Sequence, residues 1–180
     1  AVIAAPNIEI DAISMTDLAA IYAGDITNWS ALGGPDLNIL PLQLPTTSAL
    51  RNEFINLVME PAGKSIAGNV LTMADGISIA SSVNQFAGAI SVVEIEDAAS
   101  NNILPVSGSC GAPVLLNSFN VVSGDYPLVR PLMVSFDSTP ETRLTSEVFD
   151  FAAGTVAQRL ISAEGFENMT ATAQDDEAKN

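Results

Sequence analysis

The spacing of apolar residues changes repeatedly along this chain, from short continuous runs to a three-to-four-residue repeat. The runs predict strands and lie at 1–5, 38–43, 89–95 and 103–106, with a longer extended run at 128–136 that Pro131 interrupts. The repeat predicts helices, which begin with Thr16 as N-cap, after Ser48, after Asp75, at Thr139 and after Gly154. Strands that alternate with helices favour an α/β fold with a mostly parallel sheet flanked by helices.

The segments between these elements are rich in turn-forming residues. Residues 25–36 form a predicted loop, and Trp29 within it is expected to anchor that loop on the core. Residues 107–117 are predicted to be a second loop. From 168 onward the chain is polar and has no periodicity, which predicts a flexible tail or linker.

The charge balance is strongly acidic and narrows the possible partners. Six basic residues stand against 21 acidic ones, for a formal net charge of −15. Nucleic-acid binding and polybasic membrane contact both need a basic surface, so neither is expected. No apolar run is long enough for a transmembrane segment. Such a composition fits a secreted or periplasmic protein, and a halophilic or marine cytosolic protein stays open.

The sequence contains few of the residue types that enzymes use for catalysis. Histidine is absent and Cys110 is the single cysteine, which excludes Ser-His-Asp and Cys-His nucleophiles and most zinc sites. Glu94, Glu96 and Asp97 form an acidic cluster at a strand end with little indication of a metal or catalytic role. Nothing indicates a cofactor, and the chain is predicted not to be an enzyme.

Two turns between a strand and a helix hold the candidate ligand-binding residues. The unpaired N–H groups of a first helical turn, with hydroxyls and a guanidinium beside them, can hold an anion. The alternative is that the serine and the aspartate only cap their helices. The candidates are Thr46, Thr47, Ser48 and Arg51 in the first turn, and Asp75 and Gly76 in the second.

A long stretch of the sequence resembles phosphate-binding proteins of the PstS type. It runs through MTDL, IYAGDITNWS and LGGPD in residues 15–36. Further similarities follow in order along the chain: SALR at 48–51 with Phe54, AGAISV at 87–92, DYPLVRPL at 125–132, and Phe149-Asp150-Phe151 with Gln158 and Gly165-Phe166. The resemblance therefore covers about residues 1–167.

The resemblance implies a type 2 periplasmic binding protein, which closes two α/β lobes on its ligand. The chain would supply the second lobe in 1–125, a returning strand and C-terminal helices in 126–167, and a linker in 168–180. The first lobe would then precede Ala1 and is expected to be missing here. Cys110 would pair with a cysteine in that missing part.

The implied function is a periplasmic binding module for phosphate or a related small anion that feeds an ABC permease. Four positions depart from the family pattern: the family's arginine falls on Leu44, its aspartate on Thr46, and its glycine and threonine on Ala49 and Leu50. These departures leave an alternative. The chain would then be an interaction or scaffold domain of an OmpA-family envelope protein that has lost tight binding, with the polar tail as its linker.

Overall fold

The structure is a computed structural model that describes residues 1–98, 100–107, 111–130, 143–164 and 166–167. The described residues divide into two compact units, the first within 1–116 and 126–128 and the second within 117–125 and 129–167. The predicted domain bounds at 125 and 167 stay predictions. The predicted helix start at Thr139 and Pro140, the extended residues 131–136, Cys110, Gly165 and the tail lie outside the described residues.

Strands and helices alternate along most of the described chain, which confirms the α/β prediction. The strands are β1 Val2–Ala4, β2 Ile13–Ser14, β3 Leu40–Gln43, β4 Leu71–Thr72, β5 Ala89–Val92, β6 Asn102–Ile103, β7 Val106–Ser107 and β8 Pro113–Val114. The α-helices are α1 Met15–Ala23, α2 Ala49–Phe54, α3 Gly76–Gln85, α4 Ser118–Val122, α5 Arg143–Ala153 and α6 Thr155–Ala163. A 3₁₀-helix spans Trp29–Leu32, and the π-helix Ile55–Met59 continues α2.

The main sheet has the strand order β4-β3-β5-β1-β6 and is mostly parallel, as predicted, with one reversed strand. β3 is parallel to β4 and β5, whereas β1 is antiparallel to both β5 and β6. Four strands therefore share one direction, and β1 lies reversed between two of them. Hydrophobic periodicity reports burial but not strand direction, so the reversal could not be read from the sequence pattern.

A second sheet joins β2, β7 and β8, with β2 parallel to β7 and β7 antiparallel to β8. The single strand predicted at 103–106 is in fact divided between β6 and β7, which belong to different sheets. Pro105 separates them and has no N–H for a ladder, although its carbonyl accepts a hydrogen bond from the Ile13 N–H at 2.9 Å. The loop predicted at 107–117 contains β8, and α4 was not predicted.

The N-cap of helix α1 lies two residues before the predicted one. Ser14, not Thr16, is the N-cap, and its Oγ accepts a hydrogen bond from the Asp17 N–H at 3.0 Å. The helix ends at Gly24, whose φ of 83° is left-handed and is strained for residues with a Cβ. Leu18, Ile21 and Tyr22 are buried, as the helical repeat predicts.

One cluster of the core of the first unit lies between the main sheet and α3. Its buried members come from β1, β3, β5 and α3 and include Ile3, Leu42, Ile79, Val83 and Ala89. Trp29 is fully buried and its Nε1–H donates a hydrogen bond to the Gly88 carbonyl at 3.0 Å. The prediction that Trp29 anchors its loop on the core is therefore confirmed.

Replacing Tyr22 by Phe should lower the free energy of unfolding by about 1 kcal/mol. The Tyr22 hydroxyl donates a hydrogen bond to the Leu42 carbonyl at 2.7 Å inside the core, while the ring packs on Phe54 with the centroids 4.6 Å apart. Burial raises the pKa of Tyr22 well above its ordinary value, so the hydroxyl stays a neutral donor. Urea unfolding of both proteins measures the difference, and equal midpoints would contradict the assignment.

The second unit is helical in its described part. On α5, Leu144, Val148 and Phe151 follow at helical spacing and are 69%, 51% and 60% exposed. This apolar stripe matches the predicted helix face, and within the part of the chain that the structure describes it is exposed. Among the described residues, no helix combines the length and the hydrophobicity that a bilayer crossing requires.

Candidate functional site

Three loops leave the main sheet at the same side, which we call the carboxyl edge. β3 and β4 run parallel with Gln43 opposite Thr72, and β5 runs parallel to β3. The loops 44–48, 73–75 and 93–98, which follow β3, β4 and β5, therefore begin at this edge. The sheet places both groups of predicted site residues at the edge where ligands bind in α/β folds.

Ser48 stands at the start of α2, directly after two exposed threonines. Its Oγ accepts a hydrogen bond from the Arg51 N–H at 3.3 Å, so the capping interpretation is correct for this residue. A hydroxyl carries a donor as well as its acceptor lone pairs, so a capping serine can still donate to an anion. Thr46 and Thr47 are exposed and present their hydroxyls to solvent on the same turn.

Arg51 lies one turn into α2, half-buried, and its side chain is held against the sheet. Its Nε–H donates a hydrogen bond to Gln43 Oε1 at 3.0 Å, and Gln43 Nε2 donates to Thr72 Oγ1 at 3.2 Å. Within the described part of the chain the guanidinium makes no other hydrogen bond and no ion pair. Its charge is therefore fixed at the carboxyl edge without a neutralising carboxylate.

Lys64 provides the contrast to Arg51. These two are the basic side chains of residues 1–116, and Lys64 forms an ion pair with Asp25 at 2.5 Å. A partnered ammonium is a weaker attractor for a further anion, because the carboxylate already offsets its charge. Of these two side chains, Arg51 is therefore the one whose positive charge remains open to a ligand.

A small cavity of about 20 Å³ lies beside Arg51, and Gln43, Tyr22 and Phe54 are part of its wall. This volume is close to what one water molecule needs. A tetrahedral oxyanion is larger than that, so it could reach Arg51 only from the surface of the carboxyl edge.

The N-terminus of α3 is occupied by the chain's own carboxylates. Asp75 is the N-cap, and its Oδ1 accepts a hydrogen bond from the Ser78 N–H at 2.7 Å, which lowers the pKa of Asp75. A Cβ added at Gly76 would overlap Asp97 Oδ2 and lie 2.7 Å from Asp97 Cγ. Two acidic groups therefore stand at this helix end, and they repel an anion.

The sequence pattern did not predict that Asp97 lies beside Gly76. It placed Asp97 in an acidic cluster with little indication of a role. The one signal was Gly76 itself, a glycine in the first turn of a helix. Among the described residues, no group of three or more acidic, cysteine or histidine side chains could hold a metal ion. The contact of Asp97 with Gly76 instead joins the loop after β5 to α3.

Replacing Asp75 by Ala should lower the melting temperature by a few degrees at neutral pH, because the first turn of α3 loses its cap. The folded-state pKa of Asp75 is lowered, so the ionised cap stabilises the fold above the ordinary value of 3.8. That stabilisation is lost as the pH falls through the lowered value. Thermal unfolding from pH 7 to pH 2.5 should show the difference from wild type shrinking with acidity, whereas Asp75→Asn, which caps without titrating, is the control.

A larger depression of about 550 Å³ lies at the opposite edge of the main sheet. Because β1 is reversed, the segment after it leaves the sheet where β5 and β6 begin. Residues 8–12 of that segment form one wall of the depression, and Glu9 and Asp11 lie in it. Its acidic lining makes it unsuited to an anion, so the smaller site beside Arg51 remains the candidate.

Comparison with known proteins gives consistent results for sequence and fold. Residues 1–156 match the PBP superfamily domain. The Phosphate-binding protein PstS of Bacillus subtilis (strain 168) is 23% identical over 162 residues, which cover 89% of this chain and 52% of that protein. The chain thus spans about half the length of this curated relative.

The fold is shared with solved structures, of which two illustrate the likeness. PstS from Borrelia burgdorferi superposes with a TM-score of 0.80 at 21% identity, covering 93% of this chain and 67% of that one. An ABC-type phosphate transport receptor from Vibrio cholerae gives a TM-score of 0.78 at 23% identity, with 92% and 67% covered. The fold is therefore that of periplasmic binding proteins of the PstS type.

Proposed function

Because the chain belongs to the PBP superfamily, we propose that it is a non-enzymatic binding module for phosphate or a related small oxyanion. The observation that carries the proposal is Arg51, a half-buried guanidinium without a carboxylate partner at the carboxyl edge. A guanidinium offers two parallel N–H donors whose spacing matches two oxygens of a tetrahedral anion.

The ligand would bind at the surface of the turn between β3 and α2. Arg51 supplies the positive charge, the Ser48 hydroxyl and those of Thr46 and Thr47 supply donors, and α2 adds the N–H groups of its first turn. Asp75 and Gly76 would lie at the rim, on the side that Asp97 makes negative. That negative side confines an anion to the neighbourhood of Arg51.

The names of the relatives support the choice of ligand and context. Phosphate binding is stated for the Bacillus subtilis protein and phosphate transport for the Vibrio cholerae receptor. We propose a corresponding role outside the cytoplasm, with an ABC permease as partner. The OmpA-type fusion has no support from the relatives described above and stays a prediction.

Affinity should be modest because the turn lacks polar groups that the family pattern supplies. Leu44 and Leu50 stand where the pattern has an arginine and a threonine. A missing charge-assisted contact costs about 2–5 kcal/mol in a desolvated site. The loss of binding free energy should be smaller here, because the site is open to solvent. Water can solvate the anion where a protein contact is missing, so no charge is left buried without a partner.

A further part of the fold is proposed to complete the cleft. The chain spans 52% of the Bacillus subtilis relative, and the apolar stripe of Leu144, Val148 and Phe151 on α5 is exposed in the described structure. Exposed apolar stripes of this kind mark faces that pack on another element. We propose that a first lobe covers this stripe and closes on the ligand at the carboxyl edge.

Isothermal titration calorimetry of the full-length protein tests the proposed function. Inorganic phosphate and sulfate are titrated separately at low ionic strength, followed by a repeat at 0.5 M NaCl. Binding of phosphate that weakens with salt supports the proposal, because salt screens the attraction to Arg51. Absence of heat for both anions at millimolar concentration would refute it.

A further inference from the structure

Gln43 is the last residue of β3 and the side chain that holds Arg51 in place. Its Oε1 accepts the Arg51 Nε–H at 3.0 Å, and its Nε2 donates to Thr72 Oγ1 at 3.2 Å. These partners assign the oxygen and the nitrogen of the Gln43 amide. A flipped amide would place its NH₂ group opposite the Arg51 Nε–H, so that two donors would face each other. β3, β4 and α2 are linked through this one side chain.

The neutral charge of Gln43 matters as much as its geometry. A carboxylate at this position would accept the same hydrogen bond and would hold the guanidinium as well or better. It would also offset the positive charge of Arg51. In a chain with 21 acidic and six basic residues, an amide in this place leaves the guanidinium charge available.

We propose that Gln43 is a positioning residue for anion binding. It fixes the guanidinium of Arg51 through Nε, which leaves the two terminal nitrogens for the ligand, and it does so without cancelling the charge. This inference rests on the proposed function, since it names the residue that prepares the same site.

The decisive variant is Gln43→Glu in the full-length protein, with inorganic phosphate as the probe in calorimetry. We expect affinity for phosphate to fall by about tenfold or more, because the new carboxylate pairs with Arg51 and repels the anion. The melting temperature should stay equal or rise, since the hydrogen bond to Arg51 is kept. A purely structural role for Gln43 predicts the opposite result, which is unchanged binding.

The matched control is Gln85→Glu, which adds the same charge at an exposed position. Gln85 ends the ten-residue helix α3, about 15 Å along the helix axis from its start at the carboxyl edge. We expect phosphate affinity in this variant to stay within about twofold of wild type. An equal loss in both variants would mean that net charge alone acts, and would overturn the proposal.

A measurement without ligand separates this inference from the proposed function. In ¹⁵N NMR, Arg51→Lys identifies the Nε–H signal of Arg51, which should exchange slowly with water in wild type and in Gln43→Glu. In Gln43→Met the hydrogen bond from the Arg51 Nε–H is lost together with those that Gln43 Nε2 donates, so the signal should exchange faster. Slow exchange in Gln43→Met would show that Gln43 does not hold Arg51. Slow exchange in wild type with no binding of phosphate would refute the proposed function, and the ligand role of Gln43 with it.

Discussion

Replacing Gly88 by Ala should destabilise the first unit by about 3 kcal/mol or more. Gly88 has a φ of 78°, a left-handed conformation that costs a residue with a Cβ about 1–2 kcal/mol. A Cβ built there would also overlap the Asn38 carbonyl oxygen, which belongs to the backbone and cannot rotate away. The two penalties add, because neither is relieved without moving the chain.

The position of Gly88 makes such a movement costly. Its carbonyl accepts the Trp29 Nε1–H and the Leu40 N–H, both at 3.0 Å. A shift that relieved the overlap with Asn38 would therefore weaken the anchor of the Trp29 loop and the start of β3. Both elements lead into the turn that carries Ser48, so the anion site should weaken along with the fold.

Gly33→Ala is the control that separates backbone strain from steric overlap. Gly33 has a similar φ of 81°, but no atom lies within 4 Å of a Cβ built there. Its cost should be about 1–2 kcal/mol, the strain alone. Chemical denaturation of both variants measures the difference. A loss at Gly88 no larger than that at Gly33 would contradict the predicted overlap.

The elements of the first unit could be predicted because their apolar spacing and their caps agree. Around α3, for example, Asp75 marks the start while Ile79 and Val83 mark the buried face. The reversed direction of β1 could not be predicted in this way. Its three residues are all apolar and buried, a pattern that is the same for either strand direction. The pairing partners β5 and β6 lie about 90 and about 100 residues away in sequence.

The candidate site could be predicted in part, because some of its contacts are local in sequence and others join distant segments. Ser48 and Arg51 lie one helical turn apart, so local spacing brings them together. Gln43 and Thr72 meet only because β3 and β4 pair, and Asp97 reaches Gly76 only because the loop after β5 lies against α3. Those contacts depend on tertiary structure, which no local pattern encodes.

Replacing Arg51 by Ala should weaken the binding of phosphate by about tenfold or more. The variant removes the guanidinium and leaves the Ser48, Thr46 and Thr47 hydroxyls in place, so it isolates the contribution of the charge. The fold should tolerate it, because Arg51 is half-buried and its backbone N–H, which bonds to Ser48 Oγ, is kept. Calorimetry with inorganic phosphate measures the affinity, and circular dichroism checks that α2 persists.

Lys64→Ala separates a specific role of Arg51 from a general loss of positive charge. It removes the same charge from the same unit, but from a side chain already paired with Asp25. Removing the Lys64 ammonium leaves the Asp25 carboxylate unpaired, and its negative charge would weaken anion binding at long range. The control is therefore stringent, because it already includes this unfavourable charge. If Lys64→Ala binds phosphate within about twofold of wild type while Arg51→Ala does not, the ligand contacts Arg51 directly. Attraction by the net charge of the chain alone would affect both variants alike. Equal losses in the two variants would assign binding to net charge and remove the argument for a site at the carboxyl edge.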